Sequence, residues 1–203
     1  MKIVLVRHGD AVGTKGKFHG MLDTPLTAKG IKDVEEIAPE FRKYKPEIIY
    51  SSPLSRTFDS AKIIAQVLGG LEVVRNKALL PLDLGNFVGQ PTNTRNVEML
   101  KYYFKNPNIK IPGGEPVNNW AMRFIPFFNK YFYDNNSSTI MFVTHGRNFI
   151  LTKADVKLGN NLKYDNRLLY DTDESIEHAG YALATPPKNI RFIMPKKVKP
   201  GSS

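Results

Sequence analysis

A chain of 203 residues, 41% of them hydrophobic, is long enough to bury one sizeable core and short for two, so a single domain over residues 1–203 is expected. Its 29 Lys and Arg against 19 Asp and Glu leave a formal net charge of +10, which favours an anionic partner: nucleic acid, membrane phosphate or a small phosphorylated metabolite. With no cysteine, a disulfide framework, a thiolate nucleophile and a cysteine zinc site are excluded.

In chain order, Met1 to Val6 is apolar and rich in β-branched residues and runs into the polar Arg7-His8-Gly9, which reads as a buried strand. That stretch is too short for a signal h-region, and no later run reaches the length of a membrane span, so a soluble, cytoplasmic protein without membrane association is expected. Thr27 to Tyr44 carries Ile31, Val34, Ile37 and Phe41 at helical spacing, with Thr27 as N-cap. Glu47 to Ser51 is a short strand, and Pro53 opens a helix that Gly69 and Gly70 stop after Leu68. Leu71 to Val74 reads as a third strand, and Asn96 to Phe104 and Val117 to Tyr133 as helices. Thr139 to Thr144 is a strand, followed by a helix from Gly146 through Leu158. Arg167 to Met194 suggests two or three strands toward one edge of a sheet.

Alternating strands and helices imply right-handed crossovers: a three-layer α/β sandwich, with a mostly parallel central sheet and helices on both faces. Leu84 to Pro116, rich in Asn, Pro and Gly around one helix, departs from that rhythm and reads as a small lid-like insertion, 84–116. The end, 195–203, with Lys196, Lys197 and Lys199 before Pro200-Gly201-Ser202-Ser203, reads as a flexible basic tail. Part of the net charge belongs to that tail, and no stripe of interleaved aromatic and basic residues accompanies it, which argues against nucleic acid as the partner. A gel-shift at several salt concentrations tests that exclusion, since non-specific charge attraction survives only in low salt.

Ligands of a parallel sheet sit at the carboxyl ends of its strands. Arg7, His8 and Gly9 follow the first strand there, His145 and Gly146 a later one, and Ser51-Ser52-Pro53-Leu54-Ser55-Arg56 brings a second arginine to a helix N-terminus, which favours anions. Two arginines, two histidines and a helix N-terminus suit a doubly negative phosphoryl group, because a guanidinium fork holds two phosphate oxygens at once. A neutral imidazole attacks phosphorus, water finishes the reaction, and no metal or other cofactor is required if the arginines neutralise the developing charge. A histidine capping a strand end is the plainer reading of either one alone; two, each followed by glycine after an apolar strand, outweigh it.

The chain resembles the histidine phosphatase superfamily, the phosphoglycerate mutase-like proteins. The resemblance rests on Val6-Arg7-His8-Gly9, on Phe18-His19-Gly20-Met21-Leu22-Asp23-Thr24-Pro25-Leu26-Thr27-Ala28-Lys29-Gly30, on Ser51 to Arg56, on Pro112-Gly113-Gly114-Glu115 and on Val143-Thr144-His145-Gly146. It implies that His8 is the nucleophile, that Arg7, Arg56 and His145 bind the phosphoryl group, that Gly146 lends its backbone amide, and that Thr14 holds a polar position in the phosphate pocket. The family's proton-donating glutamate falls on Pro81 in Leu79-Leu80-Pro81-Leu82-Asp83-Leu84-Gly85, and proline donates no proton. Three alternatives stay open. Asp83, about 6 to 7 Å further along an extended segment, is the acid; Glu115 is the acid; or the leaving group needs none, as with a phosphoramidate or acyl phosphate. Arg7-His8-Gly9-Asp10-Ala11 resembles the opening of bacterial phosphohistidine phosphatases and fits the last of these; Asp10 also reads as a loop residue orienting Arg7. One modest insertion, where mutases of the superfamily carry larger ones, points to a phosphatase acting on a small phosphorylated substrate. Lys101, Lys105 and Lys110 with Tyr102, Tyr103 and Phe104 either bind further phosphates or a base, or form an ordinary helix. A phosphate-binding regulatory protein that kept the pocket and lost turnover is the competing class.

Overall fold

The computed structural model describes residues 2–13, 15–134, 138–158, 178–185 and 189–193. Thr14, most of the stretch from Arg167 on and the basic tail lie outside the described residues. Six strands form one mixed sheet: β1 (Lys2–Arg7), β2 (Ile48–Ser51), β3 (Val73–Arg75), β4 (Thr139–Thr144), β5 (Tyr181–Thr185) and β6 (Asn189–Ile193), in the order β3-β2-β4-β1-β5-β6. The first four are parallel, and β5 and β6 extend the sheet antiparallel beyond β1. The parallel strands thus carry the expected α/β core, and the two edge strands lie where the alternating end of the sequence placed them.

Alternation along β1 divides the core. Ile3 and Leu5 face one layer, joined by Phe142, Trp120, Phe124, Phe128 and Phe132; Val4 and Val6 face the other, joined by Val34, Ile37, Ala61 and Ile64. The first layer is covered by α4 (Val117–Phe132), whose buried Val117, Trp120, Ala121, Phe124, Ile125, Phe128 and Phe132 recur at helical spacing, and by α5 (Gly146–Leu158). The second is covered by α1 (Ala28–Ile37) and α2 (Ser55–Val67). Among the described residues no helix is long and apolar enough to cross a membrane.

Thr27 caps α1 as expected, its hydroxyl accepting from Gly30 N at 2.9 Å. The helix ends at Ile37 rather than Tyr44, because Pro39 cannot continue the hydrogen-bond ladder; the chain tightens into a 3-10 helix over Ala38–Tyr44. Leu84 to Pro116 contains α3 (Thr94–Lys105) and a 3-10 turn at Gly85–Phe87, and it buries Leu84, Phe87, Leu100, Phe104 and Ile111 in the same core layer as α4. Lys101 pairs with Glu98, Leu100 and Phe104 are buried, and Tyr102 is exposed, which is the ordinary amphipathic helix rather than a base-binding face.

Candidate active site

Because β1 and β4 pair in parallel with Arg7 opposite Thr144, the next residues, His8 and His145, leave the same edge of the sheet together. His8 N donates to Thr144 O at 3.1 Å, and the two imidazole centroids stand 5.2 Å apart. Arg56, in the first turn of α2, is buried between them: its Nε donates to His8 Nε2 at 3.3 Å and a terminal nitrogen donates to His145 Nδ1 at 3.3 Å. The same guanidinium donates to Leu22 O at 2.6 Å and Gly20 O at 2.9 Å, tying the loop before α1 to the site.

The turn after β1 is held against α1 by two glycines. A Cβ on Gly30 would stand 2.0 Å from Asp10 O, and one on Gly9 would stand 2.4 Å from Gly30 O, so side chains at either position would push the His8 loop off the helix. Gly9 N donates to Ser60 Oγ at 3.1 Å, and Ser60 Oγ donates to Arg56 O at 2.7 Å, a relay that fixes this turn to α2.

These contacts set the tautomers. His8 Nδ1 faces Gly9 O at 2.7 Å and must carry the proton, which leaves Nε2 unprotonated, with its lone pair accepting from Arg56 Nε. His145 accepts from Arg56 at Nδ1, so its Nε2 carries the proton and donates to Ser52 Oγ at 2.9 Å. Burial, then Arg56, holds the pKa of both imidazoles well below the ordinary 6.5, so both are neutral at neutral pH. Burial also lowers Arg7 and Arg56, each to about 10, which leaves them charged.

A third histidine joins the group. His178 precedes β5, and because β5 runs antiparallel to β1 its beginning lies at the edge where β1 ends. The turn is tight, with Ala179 at φ 59°, Arg7 N donating to Gly180 O at 2.9 Å and Ala179 N donating to His8 O at 3.2 Å. His178 Nε2 accepts from Arg7 at 3.1 Å, its Nδ1 lies 3.5 Å from Asp10 Oδ1, and its ring sits 5.6 Å from that of His8. Burial and Arg7 push its pKa down to about 4. Asp10 also accepts from Thr27 Oγ1 at 3.0 Å, so the chain Thr27, Asp10, His178, Arg7 orients the first arginine from α1. Sequence reasoning missed His178; its signal was an antiparallel edge strand, whose start, not its end, meets the site.

Arg7, His8, Arg56, His145, Gly146 and His178 line a cavity of about 390 Å³, and Lys17, His19, Thr92 and Arg147 line it too. Asp83 and Glu115 are not among the lining residues. Asp83 folds back so that its Oδ1 accepts from Gly85 N at 3.0 Å. Glu115 accepts from both terminal nitrogens of Arg123, at 2.8 and 3.0 Å, and from Asp83 N at 3.0 Å. The wall from that segment is Pro81, Leu82 and Leu84, all buried. The N-terminus of α2 does meet an anion, but it is the chain's own Asp23, which accepts from Ser55 N at 2.7 Å. Thr14, expected in the phosphate pocket, lies outside the described residues.

Comparison with known proteins gives the family and the fold. The family profile described as the histidine phosphatase superfamily (branch 1) matches residues 3–156. Phosphoserine phosphatase 1 of Hydrogenobacter thermophilus is 27% identical over 150 residues, 71% of each chain. Phosphoglycerate mutase-like protein 4 of Arabidopsis thaliana is 32% identical over 152 residues, 71% of this chain and 66% of that protein. Among solved structures, a mycobacterial glucosyl-3-phosphoglycerate phosphatase superimposes with a TM-score of 0.72 at 20% identity, over 95% of this chain and 97% of the other, a likeness of fold. With the profile spanning Arg7, His8, Arg56 and His145 of the cavity, the chain belongs to the histidine phosphatase superfamily, branch 1.

Proposed function

We propose that this protein hydrolyses small phosphomonoesters through a covalent phosphohistidine on His8, without a metal ion. Phosphatase activity as such comes from the family and from relatives that are phosphoserine phosphatases. The observation that carries the finer reading is the setting of His8: a buried, neutral imidazole whose protonated Nδ1 is fixed on Gly9 O while Nε2 keeps its lone pair beside Arg56.

In this reading, Nε2 attacks phosphorus as the bond to the leaving oxygen breaks. Arg7, Arg56, His145 and the backbone amide of Gly146 hold the non-bridging oxygens, and the two arginines supply the positive charge that the transition state needs. Water then attacks the phosphohistidine, the N–P bond breaks, the electron pair returns to Nε2, and inorganic phosphate leaves. The modest insertion, with its core residues packed under α3, supports water reaching the phosphoenzyme and hence hydrolysis rather than transfer.

One observation favours a second reading. Pro81 stands at the wall where a donor is needed, Asp83 is turned onto Gly85 N, and Glu115 is bound to Arg123. A site built this way suits a leaving group that departs without a proton, such as a phosphohistidine or an acyl phosphate. The third class, a phosphate-binding regulatory protein, predicts no turnover at all.

The test is hydrolysis of p-nitrophenyl phosphate beside ethyl phosphate, with a chelator present, by wild type, His8→Ala and Asp83→Asn. Cleavage of both esters by wild type and loss of ethyl phosphate alone in Asp83→Asn make Asp83 the acid after a local turn of its loop. Cleavage of the activated ester alone, indifferent to Asp83→Asn, selects labile phosphates. No turnover of either ester by wild type refutes the enzyme.

A further inference from the structure

His178 lines the cavity, yet no step of the reaction on His8 uses it, and it lies beyond residues 3–156, which the family profile matches. The backbone that carries it is strained. Ala179, next in sequence and buried, stands in the left-handed region at φ 59°, which a residue with a Cβ seldom adopts. Two bonds to the end of β1 keep it there, Ala179 N to His8 O at 3.2 Å and Arg7 N to Gly180 O at 2.9 Å. Strain of this kind persists only where the surroundings fix it, and here it adjoins a histidine that enters the site.

The imidazole has two different partners. Nε2 accepts from Arg7 at 3.1 Å, so Nδ1 carries the proton and faces Asp10 Oδ1 at 3.5 Å. Burial and the charge of Arg7 keep the ring unprotonated at neutral pH, so the accepting lone pair is present there. The Arg7 guanidinium is also packed on Gly146, where a Cβ would stand 3.3 Å from Cζ and 3.4 Å from Nε. A different device holds Arg123, which does not line the cavity: Glu115 takes both its terminal nitrogens directly, at 2.8 and 3.0 Å. A carboxylate in that contact with Arg7 would orient it too, but would compete with phosphoryl oxygens for the N–H groups and offset the charge that the transition state needs. An imidazole accepts one N–H and adds no charge.

We propose that His178 is a positioning residue for phosphoryl transfer: its ring passes the orienting pull of Asp10 to Arg7 and holds that carboxylate one imidazole away from the guanidinium. The inference rests on the phosphatase reading and adds to it a residue that acts through Arg7 rather than on the substrate.

The experiment measures kcat/KM for p-nitrophenyl phosphate, affinity for inorganic phosphate by calorimetry, and Tm, in wild type, His178→Gln, His178→Phe and His178→Glu. Gln places an amide oxygen near the position of Nε2, and should keep kcat/KM within about fivefold of wild type. Phe keeps a ring and removes the acceptor, and should lower kcat/KM by about tenfold or more, mostly in kcat, since the transition state needs the oriented charge more than the ground state does. Glu should hold Arg7 and weaken phosphate binding by about tenfold relative to Gln, because it brings a like charge to the anion. Equal phosphate affinity in His178→Gln and His178→Glu, or a folded His178→Gln as poor as His178→Phe, overturns the proposal. Gln and Glu have the same length, so that comparison decides even if His178→Phe does not fold. Asp10→Asn should lower kcat/KM by a larger factor in wild type than in His178→Gln, because what Asp10 does through Thr27 is common to both; equal factors overturn the relay. If wild type hydrolyses no ester, the phosphatase reading falls, while phosphate affinity that drops from Gln to Phe and Glu still supports the positioning role. A flat ranking, or no phosphate binding by wild type, overturns it.

Discussion

At the scale of single residues the site depends on keeping His8 neutral and aimed. Burial and the charge of Arg56 both act against its protonation, so the acid limb of kcat/KM should lie well below the ordinary imidazole range. Removing that charge with Arg56→Gln should lower kcat/KM by about 10²-fold or more and move the acid limb to higher pH, since the imidazolium loses a repelling neighbour. Arg56→Lys should lose activity while the limb stays near its wild-type position; a limb that does not move in Arg56→Gln contradicts the assignment. The same depressed pKa has a sign for stability. The unfolded chain protonates His8 near 6.5 and the folded chain does not, so stability is full above 6.5 and is lost as pH falls below it. His8→Asn should therefore flatten the fall of Tm between pH 7 and pH 5, measured by calorimetry. His8 and His145 were legible in the sequence, each sitting at the polar end of an apolar, β-branched run. His178 was not, because its position depends on β5 pairing antiparallel with β1, which sets it beside Arg7, 171 residues away in sequence, and no local pattern encodes that.

At the scale of elements, α5 is the strut of the cavity. Asn148, buried one turn after His145, donates to Leu79 O at 3.1 Å and to Thr144 Oγ1 at 2.7 Å, and accepts from Trp120 Nε1 at 2.8 Å. It locks the segment that ends in Pro81 and Leu82 against β4 and α4, so the wall around the leaving group is rigid on that side. Asn148→Ala leaves the buried indole N–H without an acceptor and should cost about 2 to 4 kcal/mol, read as a shift of the denaturation midpoint. A change under about 0.5 kcal/mol would mean that the network is not structural. The helices were legible from periodicity and caps, as at Thr27 and Val117. Their ends were less so: Pro39 stopped α1 early, and Asp23, remote in sequence, took the N-terminus of α2 that the local pattern offered to substrate. The same limit applies to the acid segment, where an extended reading of residues 79–85 put Asp83 near the reaction and the turn onto Gly85 N draws its carboxylate back.

At the scale of the whole molecule, the sequence carries a net charge of +10. Several lysines of the helices are paired with acids one turn away, as in Lys32 with Glu36, Lys62 with Asp59 and Lys101 with Glu98, exposed pairs worth little to stability. Arg7, Arg56, Arg147 and Lys17 instead converge on one cavity, where low dielectric strengthens their hold on an anion. The strand order brings the ends of β1 and β4 and the start of β5 to that cavity, and residues 84–116 add Leu84 and Thr92 to its wall. The central claim is a phosphoryl group carried on His8. The most direct measurement is to mix the protein with p-nitrophenyl phosphate, quench in alkali, where phosphohistidine survives, and map the modification by mass spectrometry. One phosphoryl group on the peptide containing His8, lost on acid treatment and absent from His8→Ala, is the predicted result. A phosphoryl group on another residue, or hydrolysis by His8→Ala at the wild-type rate, would contradict it.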